Sequence, residues 1–139
     1  MKISKKGEYA LMAMIYLSGR HGTPVRIQDI AEHEDIPVKF LEQILLDLKK
    51  AGYLYSKPGV GGGYTLLKDP AEITLAEIIR IMDGPLAPLS CVSKRAYVKC
   101  PHESTCGLHS VMLRVRNAIS DILENVTFAD VGKEHRSRK

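Results

Sequence analysis

The sequence predicts a mainly α-helical fold with one small β-hairpin and a long C-terminal helix. Three observations carry this expectation. Apolar residues recur at helical spacing through the first third of the chain, a glycine run from Gly59 to Gly63 separates two short strand-like segments, and an apolar repeat of heptad type occupies the last third. At 139 residues and 45% hydrophobic content the chain is long enough to bury one core without covalent staples.

Ser4 precedes a first helix, roughly Gly7 to Ser18, on which Ala10, Leu11, Met14, Ile15 and Leu17 form a wide apolar face. After the turn His21-Gly22-Thr23-Pro24 comes a short second helix, with Ile27, Ile30 and Ala31 on one side, ending near Glu34-Asp35. A third starts around Pro37, a residue tolerated in the first turn because its missing N–H is unused there. In it Leu41, Ile44, Leu45 and Leu48 fall at i, i+3, i+4 and i+7 and make a core face. Lys39, Glu42, Gln43, Asp47 and Lys50 are left on the free face, and Gly52 closes the helix. Two helices joined by a few residues, the second with a free polar face, have the layout of a helix-turn-helix, although an ordinary two-helix corner shares it.

The next segment separates those readings. Tyr53–Lys57 and Tyr64–Leu67 read as strands with Pro58–Gly63 turning between them, a hairpin placed as a wing. Its glycines let the backbone lie close to a phosphate or a minor groove, and Lys57 supplies a charge at the base of the loop. A nucleotide-binding loop does not fit. No helix follows, no Gly-Lys-Ser/Thr occurs, and Tyr64 stands where a dinucleotide fingerprint needs its last glycine.

Thr74-Leu75-Ala76-Glu77 is a capping box opening a fourth helix that buries Leu75, Ile78, Ile79 and Met82 and stops at Asp83-Gly84-Pro85. Residues 85–106 then have no clear period and read as a loop that something must order. From about Thr105 to Val126 a long helix carries Leu108, Met112, Val115, Ile119, Ile122 and Val126 at 4-3-4-3-4 spacing, a heptad seam. Because the preceding helices already close a core, the seam points to a two-fold homodimer. The expected organisation is a winged helix-turn-helix over 1–84, the cysteine loop at 85–106, a dimerisation helix at 107–128 and a solvated basic tail at 129–139 that includes Lys133–Lys139.

A formal net charge of +4 permits nucleic-acid binding without requiring it. No run of 18 apolar residues occurs, and the first residues have neither the apolar core nor the cleavage site of a secretory signal, so a cytosolic chain with no membrane partner is expected. All three cysteines fall in one stretch, Cys91-x8-Cys100-x5-Cys106, with His109 following after two intervening residues. An odd, clustered set in the cytosol points to metal rather than disulfides. Soft thiolates with a histidine hold zinc or an iron–sulfur cluster. The spacing is one residue short of the x8, x5, x3 pattern of RNA-binding zinc fingers, and only Tyr97 offers a stacking ring between the ligands. A zinc-binding RNA module and idle thiols are the competing readings. No nucleophile–base pair or phosphate cradle has catalytic spacing, so an enzyme is not expected.

SKKGEYALMAMIYL, IAEHEDIPVKFLEQILLDLKKAGYL, GVGGGYTLLKDPAEITLAEII and the three-cysteine loop before the long helix together resemble the Rrf-two family of bacterial transcriptional regulators, the IscR/NsrR/CymR group, over nearly the whole chain. The resemblance implies a winged helix that binds a double-stranded DNA operator, dimerises through the long helix, and represses or activates transcription. It implies that Lys39, Phe40, Glu42 and Gln43 meet the major groove and that Lys57, with Tyr64 and the wing backbone, lies at the minor groove. By the same resemblance Cys91, Cys100 and Cys106 are ligands of an iron–sulfur cluster, 2Fe-2S or 4Fe-4S, with the fourth ligand open among His109, Glu8 from a partner chain and His33. A cluster-free member of CymR type, regulated by a partner or small ligand, is the alternative within the family. The signal sensed, whether iron, oxygen, nitric oxide or redox state, is left open.

Overall fold

A computed structural model describes residues 1–135. Three helices, α1 (Lys5–Ser18), α2 (Ile27–Glu34) and α3 (Val38–Lys50), pack around a core in which Met14, Leu17, Ile30, Leu41, Ile44, Leu45 and Leu48 are fully buried. The Ser4 hydroxyl caps α1 by accepting the Gly7 N–H at 2.9 Å. Asp83 then accepts from the Ser4 backbone N–H at 2.9 Å and from its hydroxyl, so a carboxylate from the end of the fourth helix sits over the positive end of α1. A Cβ on Gly7 would stand 2.2 Å from Asp83 Oδ2, which explains the missing side chain.

Asp35 ends α2 in a left-handed conformation, and Ile36-Pro37 leads directly into α3. At the other end of α3, Gly52 N–H donates to Lys49 C=O and Tyr53 N–H to Leu48 C=O, both at 3.0 Å, the paired bonds of a Schellman stop. The expected helix-turn-helix is therefore formed as read from the sequence.

Strand β1 (Leu54–Lys57) pairs antiparallel with β2 (Gly63–Leu66), Leu54 opposite Leu66 and Lys57 opposite Gly63. Val25 adds a third rung: its N–H and C=O both bond to Tyr64 at 2.8 Å. A Cβ on Gly63 would lie 2.4 Å from Val25 O, and one on Gly62 2.1 Å from Lys57 O. Both glycines are thus required by the hairpin's own backbone, before any ligand is considered.

Helix α4 (Leu75–Asp83) opens with the expected Thr74–Glu77 capping box. Tyr53 donates to Glu77 at 2.8 Å, tying the cap to the strand end of α3. Burial pushes the Tyr53 hydroxyl up to about 12, with the Glu77 carboxylate adding to the effect. Burial acts upward on Glu77 as well, but bonds from Thr74 and Tyr53 outweigh it and hold its carboxyl below the ordinary range.

The C-terminal part departs from expectation in two ways. Helix α5 spans Gly107–Leu123, shorter than Thr105 to Val126, and a further helix α6 (Phe128–Gly132) follows where a solvated tail from 129 is expected. Thr127 and Asp130 form a second capping box, Leu75 N–H donates to Val126 C=O, Phe128 N–H donates to Ile73 C=O, and the Phe128 ring is completely buried. An apolar ring with a capped turn behind it docks on the core rather than entering water. Even His135 reaches inward, with Nε2 3.0 Å from both carboxylate oxygens of buried Glu34. The rest of the basic end, residues 136–139, lies outside the described residues.

The heptad seam also divides. Ile119 packs with Leu123 against Ala76, Ile79 and Leu86 and so faces its own domain, while Met112 is half-buried. The outward apolar stripe is Leu108, Val111, Val115, Ala118 and Ile122, a 3-4-3-4 repeat of exposed residues. Among the described residues no helix is long and apolar enough to cross a membrane.

Candidate nucleic-acid interface and cysteine loop

Because Leu41, Ile44, Leu45 and Leu48 are buried, helical geometry forces Lys39, Phe40, Glu42, Gln43, Leu46, Lys49 and Lys50 outward. The exposed face is thus the expected one, and its residues are not equally available. Phe40 stacks edge-on against Tyr9 of α1, centroids 5.4 Å apart and planes at 84°, which fixes the ring while leaving it 41% exposed. Gln43 donates to Asp47 at 2.9 Å and Lys6 of α1 pairs with the other Asp47 oxygen at 2.8 Å. The Lys6 ammonium holds the Asp47 carboxyl below its ordinary range, with Gln43 adding to it. Lys6 and Asp47 therefore brace α3 from α1 and neutralise a carboxylate on a face meant for an anionic partner. Tyr9 and Lys6 carry no local sequence signal for this role, since the contact runs between helices.

Lys49 donates to Ser56 at 2.9 Å, locking α3 to the wing. Lys57 is exposed at the wing base and Val60 fully exposed at its tip. The Tyr64 backbone bonds to Val25 and its side chain packs, half-buried, against the core. It anchors the wing.

The segment from Pro85 to Cys106 has little regular structure apart from a single 3-10 turn, Ser90–Val92. Arg116 of α5 holds the turn by donating to Val92 C=O at 2.9 Å, and Val98 N–H donates back to Ser90 C=O at 3.1 Å. Cys91, Cys100 and Cys106 are free thiols, all half-buried. Cys106 occupies the N-cap of α5, and His109, in the first turn, places Nδ1 3.4 Å from Cys91 Sγ. His109 Nε2 lies 3.9 Å from Glu103, which in turn accepts from the Tyr97 hydroxyl. That acceptor is the first cause raising the Tyr97 hydroxyl above its ordinary value, and the nearby Cys91 and Cys100 act in the same direction.

Among the described residues no three His, Cys, Asp or Glu side chains converge as a metal-binding group. One expected pair, Cys91 with His109, is brought together; Cys100 and Cys106 do not complete the set. His33 lies on α2 beside Asp29 C=O, 2.7 Å away, and Tyr16, and Glu8 pairs with Lys5. Three thiols and an imidazole on one loop and the helix after it are donors of the kind that iron and zinc take.

Residues 3–134 match the family model Rrf2, described as an iron-dependent transcriptional regulator. A Rhodobacter capsulatus protein named as an rrf2-like HTH-type transcriptional regulator is 38% identical over 136 residues, covering 93% of this chain and 91% of that protein. CymR of Bacillus subtilis is 33% identical over 132 residues, covering 94% and 89%. Its solved structure, described as that of the global cysteine regulator, superposes with a TM-score of 0.83 at 32% identity over 97% of this chain and 98% of that one. The structure of T. potens IscR gives a TM-score of 0.77 at 32% identity, covering 96% and 88%. The relatives are regulators and not enzymes, and the protein belongs to the Rrf2 family of transcriptional regulators.

Proposed function

We propose that this regulator binds its operator as a two-fold homodimer and that its DNA affinity follows the state of an iron–sulfur cluster on the loop from Cys91 to Cys106. The observation that carries the cluster reading is the 3.4 Å approach of His109 Nδ1 to Cys91 Sγ at the start of α5, with two more thiols in the same loop. Cys91, Cys100 and Cys106 would hold the cluster as thiolates, and His109, or Glu8 supplied by a second copy, would complete it. When bound, such a cluster supplies a redox-sensitive centre whose non-thiolate iron is the point most open to oxidant or nitric oxide.

The chain's own residues do the reading. Lys39, Phe40, Glu42 and Gln43 enter the major groove, while Lys57 and the wing backbone run along the flanking minor groove. A dimer formed through Leu108, Val111, Val115, Ala118 and Ile122 fixes the distance between two reading helices, which a B-form operator meets at about 34–36 Å, one helical turn. Since His109 is on that helix, ordering the loop acts on its first turn and so on the spacing of the readers.

A second reading, a cluster-free regulator answering to a partner or small ligand, is favoured by the unassembled thiols and by the likeness to CymR. Anaerobic purification followed by a visible spectrum with iron, acid-labile sulfide and zinc assays separates the two. Iron and sulfide with a charge-transfer band, abolished in Cys100→Ala, support the cluster. A metal-free, colourless dimer that binds duplex DNA supports the second reading, and zinc alone points to a structural site. In the loaded protein, His109→Ala and Glu8→Ala identify the fourth ligand by which one uncouples DNA affinity from cluster state.

A further inference from the structure

A cleft at the junction of α4, α5 and the cysteine loop is lined by four cations, Arg80, Lys94, Arg95 and Arg116, with Ser93 and Ser120 in its wall. The cleft is tight, with about 10 Å³ for the centre of a water-sized sphere, and it opens to solvent where Lys94 and Arg95 are exposed. Glu124 faces this set: it accepts from Arg80, whose guanidinium is the first cause holding that carboxyl below its ordinary range, and Lys94 and Arg95 add to it. Arg116 is partly committed, donating to Val92 C=O and to Asn117 Oδ1. Arg80 is not fully satisfied: its Nε is buried without a hydrogen-bond partner among the described residues. A buried guanidinium N–H left without an acceptor is costly in a folded protein and marks a position where an acceptor belongs.

We infer that this cleft binds a small tetrahedral oxyanion, phosphate or sulfate. The donors come from three separate elements, so they approach from several directions. That suits an anion with acceptor oxygens on every side better than a planar carboxylate met along one edge. Lys94 and Arg95 lie on the loop between Cys91 and Cys100, whereas Arg80 and Arg116 belong to helices. A bound oxyanion therefore ties the loop to α4 and α5 and biases its position whether or not a cluster is present.

Titration calorimetry of the full chain with inorganic phosphate, and separately with sulfate, at constant ionic strength against chloride tests this. The expected result is one site per chain, weakened about tenfold or more in Lys94→Ala/Arg95→Ala, whose side chains are exposed, and weakened in Arg80→Lys, which keeps the charge but loses the Nε–H. Equal heats with chloride, or affinity unchanged in the double variant, overturn the site. A third outcome also overturns it: no free-anion binding, with the double variant instead lowering the salt dependence of duplex binding, would assign these cations to the DNA backbone.

Discussion

The winged half of the molecule, with α6 docked on it, and the segment from Pro85 to Leu123 are held in different ways. The first is a packed core: Met14, Leu41, Ile44, Leu48, Ile78 and Phe128 are fully buried, and the helix ends are closed by side-chain caps at Ser4, Thr74 and Thr127. The second has a long loop without regular structure and a helix on which only Ser120 is buried among the described residues, while Leu108 and Ile122 are 54% and 62% exposed. A reader of DNA has to hold its recognition helix to a fixed geometry, and a controlling segment needs a smaller gap between its arrangements. The bonds from Lys6 to Asp47 and from Lys49 to Ser56 serve the first need, and the three unjoined thiols leave room for the second.

The largest effect that would sharpen this contrast is at the boundary. Phe128→Ala should cost about 3–5 kcal/mol in urea denaturation, because a fully buried ring is removed from the core of the winged half. A loss within about 0.5 kcal/mol would mean that the C-terminal end is a tail after all. Gly63→Ala comes next, at about 1–3 kcal/mol, since its new Cβ meets Val25 and its φ of 145° suits only glycine. Duplex affinity should fall with it if the wing takes part in binding.

Glu77→Ala should cost about 1–2 kcal/mol, removing both the cap and the acceptor of Tyr53. This pair also sets pH behaviour. Glu77 has a lowered folded pKa, so its contribution is complete above the ordinary 4.5 and is lost as pH falls through the folded value. Tyr53 is raised, so its contribution is complete below 10 and is lost as pH rises towards about 12. Stability profiles of Glu77→Gln and Tyr53→Phe should flatten at the acid and alkaline ends respectively, and an unaltered profile in either variant would remove that group from the explanation. The smallest effect on the fold should come from Ile122→Lys on the outward stripe, within about 0.5 kcal/mol, yet sedimentation should show dissociation to monomer. A variant that stays dimeric would place the interface elsewhere.

Much of the winged half was legible because its determinants are local. The Leu41–Ile44–Leu45–Leu48 period, the Thr74–Glu77 box and the glycine run each specify an element within a few residues. Helix α6 was legible in principle through Thr127 and Asp130, but it is too short to show a period, and the burial of Phe128 depends on Ile73, far away in sequence. The 4-3 repeat of α5 shares Leu108, Val115 and Ile122 with the exposed 3-4 stripe, and at Ile119 only the long-range contact with Ala76, Ile79 and Leu86 shows which way the side chain faces. Tyr64 stands next to the wing glycines in sequence, whereas its backbone pairing with Val25 runs between distant positions and carries no local signal. The thiols were legible as a set of donors, whereas their arrangement depends on how an irregular loop closes.

Hydrogen exchange along the chain, in the metal-free protein and after anaerobic reconstitution with iron and sulfide, tests the central contrast most directly. Amides of α1 to α4 and of Phe128 should exchange only through global opening in both states. Those between Ser93 and Cys106 should exchange quickly without metal and become protected, together with the first turn of α5, on reconstitution. A loop already protected like α3 in the metal-free chain, or one unchanged by reconstitution, would contradict the division into a fixed reader and a segment that closes around its thiols.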